Sequence, residues 1–388
     1  MSGNAAGQVT RRGFLIMTGA IAASGGLRPF HVAAEQAPAS PPAPVPGKEK
    51  LIVRTPRPIN LETPLAQLTS YNTPEDLFYV RNNSDSPVID PSQWSVKIEG
   101  EVDQPLVLRM DDLRKLPTIT QDAVLECAGN GRSFHRPRAS GLQWEYGAVG
   151  NATWTGVRLA DVLAMAKVRS TGQHVAFDGA DKPPAPAAPD FIRSIPIWKA
   201  LEPHTMIAFE MNGKPLPQIH GAPARVIVPG WIGSASIKWL ERIMVIPNEF
   251  DGSFMQRSYR APRAEDEKDT YSLQSLEVKS LIVGPLDGAK LQAGPVTLWG
   301  WAWTGEGELT GIDISTDGGQ SWKAGRFVSR YGRYSWRKWE FDWDAKPGDH
   351  TIMARASDSL GRIQPPSRAW NPLGYRWNVI HAIKVQVA

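Results

Sequence analysis

Ala123-Val124-Leu125-Glu126-Cys127-Ala128-Gly129-Asn130-Gly131-Arg132-Ser133 is a short apolar run that breaks into glycine and asparagine just past a cysteine. The run reads as a strand over Ala123 to Cys127, and Ala128 to Gly131 as a tight turn. A strand end followed by such a turn presents a side chain to a cavity and leaves backbone N–H groups free for an anion. Cys127 is the only cysteine in 388 residues. An internal disulfide, CxxC redox chemistry, CxxCH haem attachment and iron–sulfur ligation are therefore excluded. The seven histidines form no HxxxH pair with a glutamate between. A metal would have to arrive largely ligated, within an organic cofactor. By its own chemistry a lone cysteine is either a small buried hydrophobe or a soft thiolate ligand, and the turn leaves both open.

Outward from this turn the chain reads as two parts. Trp94 to Gly100 alternates as a strand, Arg109 to Leu116 and Leu159 to Lys167 carry helix patterns, and Lys182 to Pro189 is a proline-rich loop. Phe78 to Arg81, Ala224 to Val228 and Ile237 to Ile246 read as strands. Residues Ala261 to Thr270 are charged and turn-prone, a linker. Beyond Ser275 the pattern is all-β. Pro295 to Trp303 alternates strictly, with Trp299, Trp301 and Trp303 on one face, expected to be the core of a sandwich. Runs over Ile312 to Ser315, Trp336 to Trp343 and Thr351 to Ser357 continue it. With 41% apolar and 21% charged residues and a formal net charge of +4, the composition is that of a globular protein without a nucleic-acid footprint.

The N-terminus is expected to be an export signal. Thr10-Arg11-Arg12-Gly13-Phe14-Leu15 matches the twin-arginine pattern. An apolar stretch from Phe14 to Ala23, too short for a membrane span, leads to small residues at Val32-Ala33-Ala34. Ala37 to Pro46 is a Pro/Ala-rich tether. No later run is apolar enough to span a bilayer.

Several ordered motifs resemble the sulfite oxidase family. They are Phe78-Tyr79-Val80-Arg81-Asn82, the Cys127 turn, Gly141-Leu142-Gln143-Trp144, Gly150 to Val157, Glu210 to Pro217, His220-Gly221-Ala222-Pro223-Ala224-Arg225, Ser236-Ile237-Lys238-Trp239-Leu240 and Trp370-Asn371-Pro372-Leu373-Gly374. The resemblance runs from about Tyr71 to the end. It implies an α+β chain: a mixed α/β molybdopterin-binding domain followed by an immunoglobulin-like sandwich that makes a homodimer. The boundaries expected are 1–34 for the signal, 35–70 for an arm, 71–262 for the catalytic domain and 275–388 for the sandwich.

It also implies one molybdenum-molybdopterin, with Cys127 as the protein ligand to the metal. Asn82, Asn83, Asp181, His220, Arg225, Ser236 and Lys238 would hold the pterin and its phosphate. On residue chemistry alone, Arg225 and Lys238 serve equally as surface charges and His220 as a turn histidine. In many relatives a histidine stands where Asn83 is. Arg81, Arg132 and Tyr259 would face sulfite, with a further arginine from the second domain, for which Arg368 and Arg376 are candidates. The reaction implied is oxidation of sulfite to sulfate, with electrons passing to a separate periplasmic c-type cytochrome, since no haem, flavin or nicotinamide motif is present. The alternatives are the same fold acting on another small oxo-substrate such as a sulfoxide, and a cofactor-free periplasmic binding module.

Overall fold

The computed structural model describes residues 45–185, 187–263 and 270–388. The twin-arginine segment, nearly all of the Pro/Ala-rich tether and the middle of the charged linker lie outside them. The linker's two described ends pair as short antiparallel strands, Arg260–Pro262 with Thr270–Ser272.

Two five-stranded sheets build the first part. One runs in the order Lys214–Pro215, Met206–Met211, Val149–Arg158, Thr118–Glu126, with Arg225–Ile227 also paired to Met206–Met211. The other runs Leu106–Arg109, Ser95–Gly100, Leu240–Ile246, His174–Gly179, Arg193–Pro196. Within it Leu240–Ile246 lies parallel to Ser95–Gly100, and the remaining pairs are antiparallel. The described helices are few and short. Leu159–Ala166 has the clearest pattern, burying Leu159, Val162, Leu163 and Ala166 on one face, as periodicity requires.

The cysteine strand is longer than its apolar run implies, Thr118–Glu126, because it is ruled in register by Val149–Arg158 along its whole length. That partner was not evident in the sequence. Gly150, Asn151 and Gly156 interrupt its apolar pattern. Gly156 is there for space: a Cβ would stand 2.0 Å from the Ile207 carbonyl oxygen on the neighbouring strand. Ile237 to Trp239, expected to begin a strand, instead bends into Leu240–Ile246.

The second part is a β sandwich. Its four-stranded sheet is Lys279–Gly284, Gly294–Trp303, Arg337–Ala345, Arg326–Phe327. Its five-stranded sheet is Ala289–Leu291, His381–Val387, Gly348–Asp358, Leu309–Ser315, Lys323–Ala324. Ile282, Leu298, Ala302 and Trp339 from the first pack on Ile312, Ile314, Ile352, Ala354 and Ile383 from the second.

The tryptophan stripe does not fill this core, contrary to the expectation from alternation. Trp301 and Trp303 face the first part and pack with Leu68, Val124, Ile232 and Trp336. Trp336 stacks on Trp301 at 4.6 Å. Each indole donates across the seam: Trp301 Nε1 to the Leu68 carbonyl at 2.6 Å, Trp303 Nε1 to Glu126 Oε2 at 2.8 Å, and Trp336 Nε1 to the Tyr71 carbonyl at 2.7 Å. Alternation identifies two faces of a strand and is silent on which one meets a neighbouring domain. A buried indole usually finds an acceptor for its N–H, and these three find theirs across the seam, in the first part.

The seam also holds an ion pair. Lys279 Nζ lies 2.7 Å from Glu126 Oε1, and both side chains are buried. Removing one partner would strand the other as an uncompensated buried charge. Lys279→Met should therefore cost about 3–5 kcal/mol in urea denaturation. The double variant Glu126→Gln with Lys279→Met should recover much of that loss. Equal stability of the single and double variants would show that the pair is not what holds the seam.

Candidate functional site

Cys127 follows the last residue of strand Thr118–Glu126 and lies at the wall of a cavity. Its N–H donates to the Ala148 carbonyl at 2.9 Å. The turn beyond it is fixed from two sides. Asn130 N–H returns to the Cys127 carbonyl at 2.9 Å, while Asn130 Nδ2 donates to Glu126 Oε1 at 2.9 Å. Gly131 sits at φ +97°, and a Cβ there would lie 2.3 Å from the Trp377 ring, so the turn admits glycine alone.

The cavity gathers most of the residues expected from the sequence. Arg81, Asn82, Asn83, Cys127, Asp181, His220, Arg225, Ser236, Lys238 and Tyr259 all line it. Arg225 is buried. Its Nη1 donates to the His220 carbonyl at 2.9 Å and Nη2 to the Ser236 carbonyl at 2.7 Å, while Nε has no partner. Ser236 Oγ accepts from Val228 N–H at 3.0 Å. Lys238 Nζ donates to Asn82 Oδ1 and to the Ile219 carbonyl at 3.2 Å, and lies 4.1 Å from the Trp239 ring. Arg81 donates to Asn83 Oδ1 at 2.5 Å. Tyr259 holds a left-handed backbone, φ +54°, a strained conformation for a tyrosine that clusters at functional sites. Its ring stacks on Tyr375 at 5.6 Å.

Arg132 is placed differently. It does not line the cavity. Nε donates to the Leu373 carbonyl at 2.7 Å and Nη1 to the Leu142 carbonyl at 2.8 Å, and the guanidinium lies 5.2 Å from the Tyr375 ring. The turn at Gly131 directs it into the seam with the second part. The two second-domain candidates are likewise committed elsewhere, since Arg368 and Arg376 both pair with Glu277.

Several residues reach the site without having been singled out from sequence. Tyr79 and Phe191 line the cavity, as does Ser234, whose buried Oγ has no partner. Tyr79 lay inside a motif already noted, and Ser234 two residues before Ser236. Lys48 carries no sequence signal. It arrives from the N-terminal arm, buried, and its Nζ stands 2.7 Å from His220 Nε2. An ammonium only donates, so this contact assigns His220 the tautomer with Nε2 as acceptor.

The electrostatics point to an anion. Arg81, Arg225 and Lys238 line the cavity with Asp181 as the carboxylate among the described lining residues. Burial pulls the Arg225 guanidinium down to about 10, and Lys48 to about 8. Burial and then Arg225 hold Lys238 well below its ordinary value. Burial and then Lys48 do the same for His220. Burial pushes Asp181 up to about 6, with Lys238 opposing it. A cluster of desolvated cations with one carboxylate is costly unless an anion completes it. A phosphate-bearing cofactor fits this donor set. The unpaired Arg225 Nε and Ser234 Oγ are the atoms such a group would satisfy. No group of three His, Cys, Asp or Glu is poised to hold a metal ion among the described residues.

The comparisons agree with this chemistry. Residues 83–254 match the oxidoreductase molybdopterin binding domain family, and residues 270–388 the Mo-co oxidoreductase dimerisation domain family. Sulfite oxidase of Gallus gallus is 36% identical over 369 residues, 88% of this chain and 80% of that protein. Sulfite oxidase of Arabidopsis thaliana is 34% identical over 362 residues, 85% of this chain and 92% of that protein. The mitochondrial sulfite oxidase of Macaca fascicularis is 37% identical over 361 residues, and there the match spans only 66% of the relative's length. Among solved structures, the sulfane dehydrogenase SoxCD from Paracoccus pantotrophus superimposes with a TM-score of 0.78 at 28% identity, covering 91% of this chain and 92% of that one. The chain belongs to the sulfite oxidase family of molybdopterin-binding oxidoreductases.

Proposed function

We propose that this chain is the molybdenum catalytic subunit of a sulfite dehydrogenase. In this reading it oxidises sulfite to sulfate and passes electrons one at a time to a separate c-type cytochrome. The observation that carries the proposal is the cationic cavity with a single thiol in its wall. When bound, the cofactor supplies two-electron oxidation coupled to oxygen-atom transfer. The chain's residues bind and orient. Cys127 gives the metal its thiolate. Arg225, Lys238, Asn82 and Ser236 hold the phosphate end, with His220 and Asp181 beside them. Arg81 and Tyr259 face the substrate, where a guanidinium and a phenol suit an oxyanion. Arg132 acts from behind, fixing the Leu142 and Leu373 carbonyls and the Tyr375 ring against Tyr259.

A second reading is oxidation of a sulfane sulfur, favoured by the likeness to SoxCD. Purified holoenzyme offered sulfite or thiosulfate with cytochrome c as acceptor separates the two. Sulfite-dependent reduction is expected, and turnover with thiosulfate alone would replace the first reading with the second. In the same assay Cys127→Ser should lose sulfite oxidation by roughly a hundredfold or more, because a hard alkoxide is a poor substitute for a soft ligand. Its circular dichroism should match the wild type, and retained turnover would take Cys127 out of the metal's coordination.

The proposal includes export by the twin-arginine route to the periplasm, which delivers a protein folded around its cofactor. Replacing Arg11 and Arg12 together with lysine should leave active enzyme in the cytoplasm. Normal periplasmic activity from that variant would refute the route. A homodimer through the sandwich is also part of the proposal, supported by the dimerisation-domain match. Light scattering of the mature holoenzyme at micromolar concentration should give twice the chain mass, and a monomer mass would overturn it.

A further inference from the structure

Arg193 is a buried cation beside the cavity to which nothing so far gives a role. It opens strand Arg193–Pro196 and is 3% exposed. Nη1 donates to the Phe254 carbonyl, and Nε has no partner. Among the described residues no carboxylate lies within ion-pair distance of it. The neighbouring Glu249 pairs instead with Arg260 at 3.6 Å and accepts from Ser272 Oγ at 2.7 Å. Burial pulls the Arg193 guanidinium down to about 10, with Tyr259 and Glu249 opposing. Holding one carbonyl does not require a charge in such a place, since a neutral donor would do so with less desolvation.

What the guanidinium does contact is Tyr259, with its carbon 5.1 Å from the ring centroid. Cation–ring contacts of this kind are stronger when desolvated. Tyr259 needs holding, because it sits at φ +54°. Its other neighbours are Tyr375, stacked at 5.6 Å, and Phe191, edge-on at 6.0 Å. Tyr375 in turn carries Arg132 at 5.2 Å. The two stacked tyrosines thus carry one guanidinium each, and Tyr259 is the ring that lines the cavity.

We propose that Arg193 is a positioning residue that sets the Tyr259 phenol against the oxyanion in the cavity. This rests on the functional reading above, in which Tyr259 faces the substrate. Arg193 acts through the ring, so its effect must disappear when the phenol is removed.

The test uses oxidised holoenzyme and sulfate as the probe anion, with affinity measured by titration calorimetry. Arg193→Met should keep its molybdenum and bind sulfate roughly fivefold more weakly, with the sulfite KM raised in parallel. Arg193→Lys, which keeps a cation over the ring, should recover most of that affinity. Arg193→Gln, which keeps a donor for the Phe254 carbonyl, should behave as Arg193→Met and decides the matter if the methionine variant does not accumulate. In a Tyr259→Phe background the charge-removing substitutions should change sulfate affinity by less than about twofold. Additive losses in that background, unchanged sulfate affinity in Arg193→Gln, or a wild type that binds no sulfate would each overturn the proposal. Sulfite oxidation is scored separately. A wild type that binds sulfate but does not oxidise sulfite would remove the functional reading, while the sulfate affinities still decide the role of Arg193.

Discussion

The Glu126 carboxylate is the interaction on which the rest of the structure depends. It accepts Asn130 Nδ2 and Lys279 Nζ on Oε1 and Trp303 Nε1 on Oε2. One donor comes from the cysteine turn and two from the sandwich. A buried carboxylate is costly unless its lone pairs are filled and its charge is matched, and here the matching charge belongs to the second part of the chain. Cys127 is the next residue. The position of the thiol and the docking of the sandwich are therefore one condition, met together.

The cavity works on the opposite principle. Glu126 has its charge satisfied within the protein, whereas Arg225 and Lys238 are held desolvated with carbonyls and an amide as partners. Their positive charge stays available to a ligand. Asp181, raised to about 6 mainly by burial, offsets only part of it. The polarity of the site is thus built in before any ligand arrives, which is what preorganisation for an anion requires.

The tryptophans connect these two features. Trp301, Trp303 and Trp336 bury their rings between the two parts and spend their N–H groups on acceptors of the first. They account for aromatic content that a sandwich core alone would not need. Tyr375 and Trp377, from the same C-terminal region, reach the back of the cysteine turn and the Tyr259 ring. The second part thereby supports the site from behind, while the residues lining the main cavity all come from the first.

Much of this was legible in the amino-acid order. The cysteine strand and its turn, the helix Leu159–Ala166 and the strand pattern after Ser275 could be named from it, because they depend on local alternation and turn chemistry, whereas ten residues of the cavity wall were named only through the resemblance of their motifs to the sulfite oxidase family. The partner strand Val149–Arg158 escaped notice because its glycines answer to a neighbouring backbone, not to a pattern along the chain. Which face of Gly294–Trp303 is the core, the withdrawal of Arg132 from the cavity, and the arrival of Lys48 and Arg193 beside it were decided by tertiary structure alone. Each is a matter of which desolvated donor finds which acceptor across a distance in sequence, from Lys48 to His220 or from Trp303 to Glu126. Residue order states which groups must be satisfied, and only the packed chain determines by whom.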